Sequence, residues 1–130
     1  MLITMSMTEE RHFAMRLRLV GAQGIMMGPG RADLLALIEQ TGSIAAAGRQ
    51  MGMSYKRAWA LVESMNGTFQ TPLVVATKGG AGGGGAQLTA LGHELLAAYR
   101  GLQAATEASG ASFLSRFETA LAVPPGGKAG

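Results

Sequence analysis

A chain of 130 residues can bury one core, and eleven Lys and Arg against eight Asp and Glu leave it at +3 with an isoelectric point near 9.8, a balance that favours an anionic partner. The absence of cysteine excludes disulfides, thiolate metal sites and a cysteine nucleophile. No unbroken apolar run exceeds five residues, as at 34–38, and residues 1–7 lack the basic and apolar regions of a signal peptide, so a cytoplasmic chain with no membrane partner is expected.

Residues 1–14 carry little pattern and read as a flexible N-terminus. From Met15 an alternation begins: Met15, Leu17 and Leu19 face one way and Arg16 and Arg18 the other, the period of a half-buried strand. Gly21, Gly24, Gly28, Pro29 and Gly30 are then expected to break any regular element. A helix follows from near Arg31 to Thr41, with Leu34, Leu35, Leu37 and Ile38 as its apolar stripe and Gly42 as its stop. Ser43 is placed to cap a short second helix, 44–51, whose buried face would be Ile44, Ala47, Gly48 and Met51; its small residues invite close approach of another helix. Gly52 ends it and Ser54 caps a third helix, 55–66, closed by Asn66-Gly67. On that helix Ala58, Leu61, Val62 and Met65 gather on one side. Lys56, Arg57, Ala60, Glu63 and Ser64 fill the other, with Tyr55 and Trp59 on the flank.

Two helices joined by so short a glycine-containing turn have the spacing of a helix-turn-helix. The β-branched stretch 72–77 leads into Lys78 and a glycine run, Gly79-Gly80-Ala81-Gly82-Gly83-Gly84-Gly85, after which Ala86-Gln87-Leu88 can return as a strand. A literal match of this run to a dinucleotide fingerprint is discounted, because the run does not open into a helix and no acidic residue ends a second parallel strand. Neither is it a phosphate loop, since no Gly-Lys-Ser/Thr closes it. As an interdomain linker it would leave a mostly helical remainder too small to fold readily alone. The reading adopted is the tip of a β-hairpin. Thr89 then caps a helix to about Gln103 with Leu91, Leu95, Ala98 and Leu102 along one stripe, and a separate amphipathic turn or two carries Phe113, Leu114, Phe117 and Leu121. The fold class is α+β, mainly α: a winged helix-turn-helix with a Gly-rich hairpin wing over 15–105, a helical extension serving dimerisation over 106–121, and a disordered tail over 122–130.

Such a fold directs its second helix into a DNA major groove. Ser54, Tyr55, Lys56 and Arg57 stand at that helix's positive end, where hydroxyls and free N–H groups hold phosphate, and an Arg can pair with guanine in a two-pronged contact. Trp59 is read as a partly buried packing residue beside Tyr55. His12 and His93 lack companions at ligand spacing, and Met51 belongs to a helix stripe, so no metal and no cofactor are assigned. No catalytic constellation stands out, and no enzyme is expected. The competing reading is a protein-interaction or dimerisation module on the same scaffold.

The stretch from Gly42-Ser43-Ile44 through Met53-Ser54-Tyr55-Lys56-Arg57-Ala58-Trp59 to Glu63-Ser64-Met65-Asn66, followed by the glycine run, Leu88-Thr89 and Gly92, resembles the DNA-binding domain of ModE-type molybdate-responsive regulators. The resemblance covers about residues 15–102 and implies a LysR-like winged helix that dimerises through its N-terminal strand and the helices after the wing. It implies binding to an inverted-repeat operator on double-stranded DNA, in control of molybdenum-related genes. Ser43, Arg49, Ser54, Tyr55, Lys56, Arg57, Lys78, Gly80 and Gly82 are the candidate DNA-binding residues. Many relatives carry a basic residue inside the glycine run, where this chain has Ala81. The chain also ends where the oxyanion-binding domains of such regulators would begin, so direct molybdate sensing is not expected of it.

Overall fold

The structure, a computed structural model, describes residues 14–78 and 84–122. It divides into two compact units: Leu17–Arg100, and Met1–Arg16 with Gly101–Gly130.

The N-terminal segment departs from expectation. Residues 15–18 keep the alternation in exposure, with Met15 and Leu17 half-buried and Arg16 and Arg18 exposed, but they form no strand. Pairing begins at β1 (Leu19–Gly21), which meets β2 (Gly24–Met27) antiparallel, Gly21 opposite Gly24. The glycines therefore make a hairpin rather than break one. At φ +119° Gly24 has a backbone that side-chain-bearing residues rarely adopt, and this lets the chain reverse over Ala22-Gln23.

Helix α1 (Pro29–Thr41) starts two residues before the sequence pattern suggests, because proline suits a first helical turn whose N–H groups have no partner in the helix. Ala32, Leu34, Leu35 and Ile38 are wholly buried along it, and the Gly42 N–H closes its end on the Ile38 carbonyl at 2.8 Å. In α2 (Ile44–Gln50) the Ser43 hydroxyl accepts from the Ala46 N–H at 3.0 Å, as the sequence suggests. Gly48 lies so close to α3 (Tyr55–Thr68) that an added Cβ would stand 2.9 Å from the Ala58 Cβ, which is the use of a small residue in this stripe.

Ala58, Val62 and Met65 form the buried side of α3, with Leu61 packed at the edge of the core. The helix continues past Asn66-Gly67 to Thr68. Asn66 does not cap it, because its carboxamide is committed elsewhere: Oδ1 accepts from the N–H groups of Leu73 at 2.9 Å and Val74 at 3.1 Å, while Nδ2 donates to the Val74 carbonyl at 3.0 Å. This fastens the entry of β3 (Val74–Thr77) to α3. Strand β3 pairs antiparallel with β4 (Gly85–Leu88), Val74 opposite Leu88 and Thr77 opposite Gly85. The hairpin is tied to the helices where the Ala86 N–H donates to the Gly42 carbonyl at 2.9 Å. There Gly85 has no room for a side chain, since a Cβ would sit 2.8 Å from the Thr77 Oγ1 and 2.9 Å from the Gly42 carbonyl oxygen.

Thr89 caps α4 (Ala90–Ala120), accepting from the Gly92 N–H at 3.0 Å and donating to the Pro72 carbonyl at 2.8 Å. The stripe differs from expectation: Gly92, Leu96 and Tyr99 are buried, Leu91 and Leu95 flank them, and Ala98 and Leu102 face solvent. Gly92 sets this phase, because only its bare backbone can lie against the Leu73 carbonyl. The Tyr99 hydroxyl donates to the Leu17 carbonyl at 2.6 Å, and burial pushes the phenol above its ordinary pKa. On the surface Arg100 pairs with Asp33 at 2.9 Å.

In the second unit, the expected break near Gln103 is absent and the helix runs on to Ala120. No proline interrupts the segment, and Gly101 and Gly110 each cost about 1 kcal/mol relative to alanine, too little to stop a helix rich in Ala, Leu and Glu. Phe113 and Phe117 project from it, 73% and 64% exposed. Among the described residues no helix is long and apolar enough to cross a membrane.

Candidate functional site

The N-terminus of α3 is built by Ser54, whose extended backbone stops the preceding turn and whose hydroxyl accepts from the Arg57 N–H at 3.1 Å. Tyr55, Lys56 and Arg57 follow, all exposed, with Lys56 and Arg57 turned away from the buried face and Tyr55 on its flank. The helix dipole and the unpaired N–H groups of this first turn make the region electropositive even before the side-chain charges are counted. Among the described residues, neither Lys56 nor Arg57 is within ion-pair distance of a carboxylate, and the same is true of Arg49 on α2 and of Lys78 beyond β3. Both are exposed as well.

Trp59 lies beside Tyr55 as expected, and the pair stands at the surface, with Trp59 the less exposed of the two. The indole Nε1–H donates to the Tyr55 hydroxyl, and the rings meet edge to face with centroids 6.3 Å apart and planes at 84°. These two rings form one wall of a cleft of about 300 Å³. Its other walls are residues 43–45 at the start of α2 and Ala76 with residues 84–86 of the β3–β4 hairpin. The structure therefore brings Ser43 and Tyr55 to one cleft, with Lys56 in the shallow hollow that continues along α3 past Trp59 to Glu63. Ser43 itself is half-buried, its hydroxyl oxygen engaged in capping α2. Arg49 does not line the cleft. Gly80 and Gly82, together with the hairpin tip, lie outside the described residues, as do Met5, Met7 and His12.

A second cleft, of about 380 Å³, is lined by residues of α1, the hairpin and α4. His93 lines it and pairs through Nδ1 with Glu39 at 2.9 Å. Among the described residues no three His, Asp or Glu side chains come together as a metal site would require. Met51 and Met53 pack against the core. Neither the aromatic cleft nor the Glu39–His93 pair is apparent from sequence. The only hint of the former is the i, i+4 spacing of Tyr55 and Trp59, which places both rings on one flank of a helix.

No family model matches the chain. It is 49% identical over 102 residues to the molybdenum-pterin-binding protein MopB of Rhodobacter capsulatus, an alignment that covers 78% of this chain and 36% of that protein. With the DNA-binding transcriptional dual regulator ModE of Escherichia coli K12 it shares 40% identity over 77 residues, 59% of this chain and 29% of the relative. The chain thus spans about a third of the length of these curated relatives. Among solved structures, full-length CbnR complexed with its target DNA aligns with 68% of this chain and 28% of its own, at 19% identity and a TM-score of 0.48.

Proposed function

We propose that this chain is a sequence-specific double-stranded DNA-binding transcriptional regulator that reads the major groove with the outer face of α3. The observation that carries the reading is the division of that helix: a wholly buried side of Ala58, Val62 and Met65 backs onto a solvent-facing side whose two cations, at a capped N-terminus, have no carboxylate partner among the described residues. A helix held this way can enter a groove without giving up any core contact. The name of the Escherichia coli relative, a DNA-binding transcriptional regulator, supports the same reading, and the molybdenum in the name of MopB supports molybdenum-related genes as targets. In this reading the β3–β4 hairpin is the wing and lies over the flanking phosphates, with Lys78 just past the loop end of β3 and Gly80 and Gly82 following it in the sequence.

The protein would act as a cytoplasmic homodimer on an inverted repeat, and no cofactor enters the reading. The exposed Phe113 and Phe117, one turn apart on α4, support an isologous contact between two copies. Selection of bound sequences from a random duplex library by the purified chain tests the proposal. The expected result is enrichment of paired half-sites about one helical turn apart, with affinity falling steeply as salt is added. No enrichment would sink it in favour of a protein-interaction module.

A further inference from the structure

We propose that the cleft beside Tyr55 and Trp59 receives the 5-methyl group of a thymine, making these two rings the base-discriminating surface of the helix; the inference rests on α3 being the groove-facing helix. Single exposed apolar side chains are ordinary on protein surfaces. Here, however, two aromatic rings, 57% and 37% exposed, wall a cleft that three separate elements complete. Among the described residues no charged side chain lines it. In the same first turn of α3 stand Lys56, which lines the adjoining hollow, and Arg57, both exposed and without a carboxylate partner among the described residues. The complementary occupant is therefore a polyanion that carries a small apolar projection. In the major groove of unmodified DNA only the thymine methyl has that character, and the thymine O4 acceptor lies next to it.

The hydrogen-bond pattern of the pair fits the same base. The Tyr55 oxygen accepts from the indole N–H of Trp59. That contact fixes the phenol and leaves its own hydrogen to donate outward, toward an acceptor such as O4.

The test uses the full chain and a duplex taken from the library selection, with each thymine replaced singly by deoxyuridine, which removes the methyl and nothing else. Wild-type affinity is expected to fall roughly fourfold at one position per half-site, the change that corresponds to burying one methyl group. Trp59→Ala and Tyr55→Ala are expected to bind the thymine and uracil duplexes alike. Tyr55 is the more exposed of the two, so its variant keeps the test open if Trp59→Ala folds poorly. Trp59 is the chain's single tryptophan, so its emission should change on binding the thymine duplex and change less with uracil at the sensitive position. Specific binding with no sensitive thymine would overturn the inference while leaving the groove-facing role of α3 intact. So would a sensitivity that persists in both variants, since the methyl would then be read elsewhere. If no duplex is selected at all, the function reading itself fails, and the inference with it.

Discussion

Replacing Lys56 and Arg57 together by alanine is expected to lower affinity for a selected duplex at least about thirtyfold, taking each side chain at the lower end of a base or phosphate contact. Stability should hardly change. Both side chains are exposed, neither has an ion-pair partner among the described residues, and the Ser54 cap uses the backbone N–H of Arg57, which the substitution keeps. The two single variants separate the roles. A side chain that meets phosphate weakens binding to all sequences and lessens the salt dependence, with log affinity against log salt shallower by roughly 0.9 per lost phosphate contact. One that meets a base relaxes preference at a single position. Equilibrium titrations at several salt concentrations measure both, and an unchanged affinity in the double variant would remove these cations from the interface.

Gly92→Ala is expected to destabilise the chain by about 1–3 kcal/mol, although alanine is the better helix former. Its Cβ would lie 2.3 Å from the Leu73 carbonyl oxygen and 3.2 Å from its carbon. That carbonyl accepts from the Thr89 N–H at 2.9 Å, so it cannot turn aside without losing a bond at the start of α4. The helix must lift away instead, drawing Leu96 and Tyr99 from the core. Gly101→Ala is the contrasting case: nothing lies within 4 Å of a Cβ there, and a stability gain of up to about 1 kcal/mol is expected. Urea denaturation of both variants reads the difference; a stabilised Gly92→Ala would contradict the close contact.

These glycines also mark where the sequence can be read and where it cannot. Ser43, Ser54, Gly42 and Gly52 punctuate the chain by local chemistry, caps and stops whose meaning depends on a few neighbours, so α2, the turn and the start of α3 lie where the pattern puts them. The two faces of α3 follow from helical spacing alone. Gly92 differs in kind. Its role depends on Leu73, which reaches it only after the β3–β4 hairpin has folded back, so a stripe drawn through Leu91, Leu95, Ala98 and Leu102 has the wrong phase. Asn66 looks like a helix stop in sequence because its amide can cap, but in the structure that amide holds β3. Strand β2 was hidden for a similar reason, because glycines at Gly21 and Gly24 signal a break and a tight hairpin equally well. At the candidate site the cations could be read from the sequence. The cleft could not, because it forms only where residues 43–45, Tyr55, Trp59 and the hairpin meet.

The central claim is that the outer face of α3 lies against DNA, and mapping backbone amide shifts of the isotope-labelled chain on titration with a selected duplex tests it most directly. The account predicts that the largest changes fall at residues 54–59, at 43–46 and along the β3–β4 hairpin. Changes confined to the β1–β2 hairpin or to α4, with the start of α3 unmoved at saturation, would contradict it.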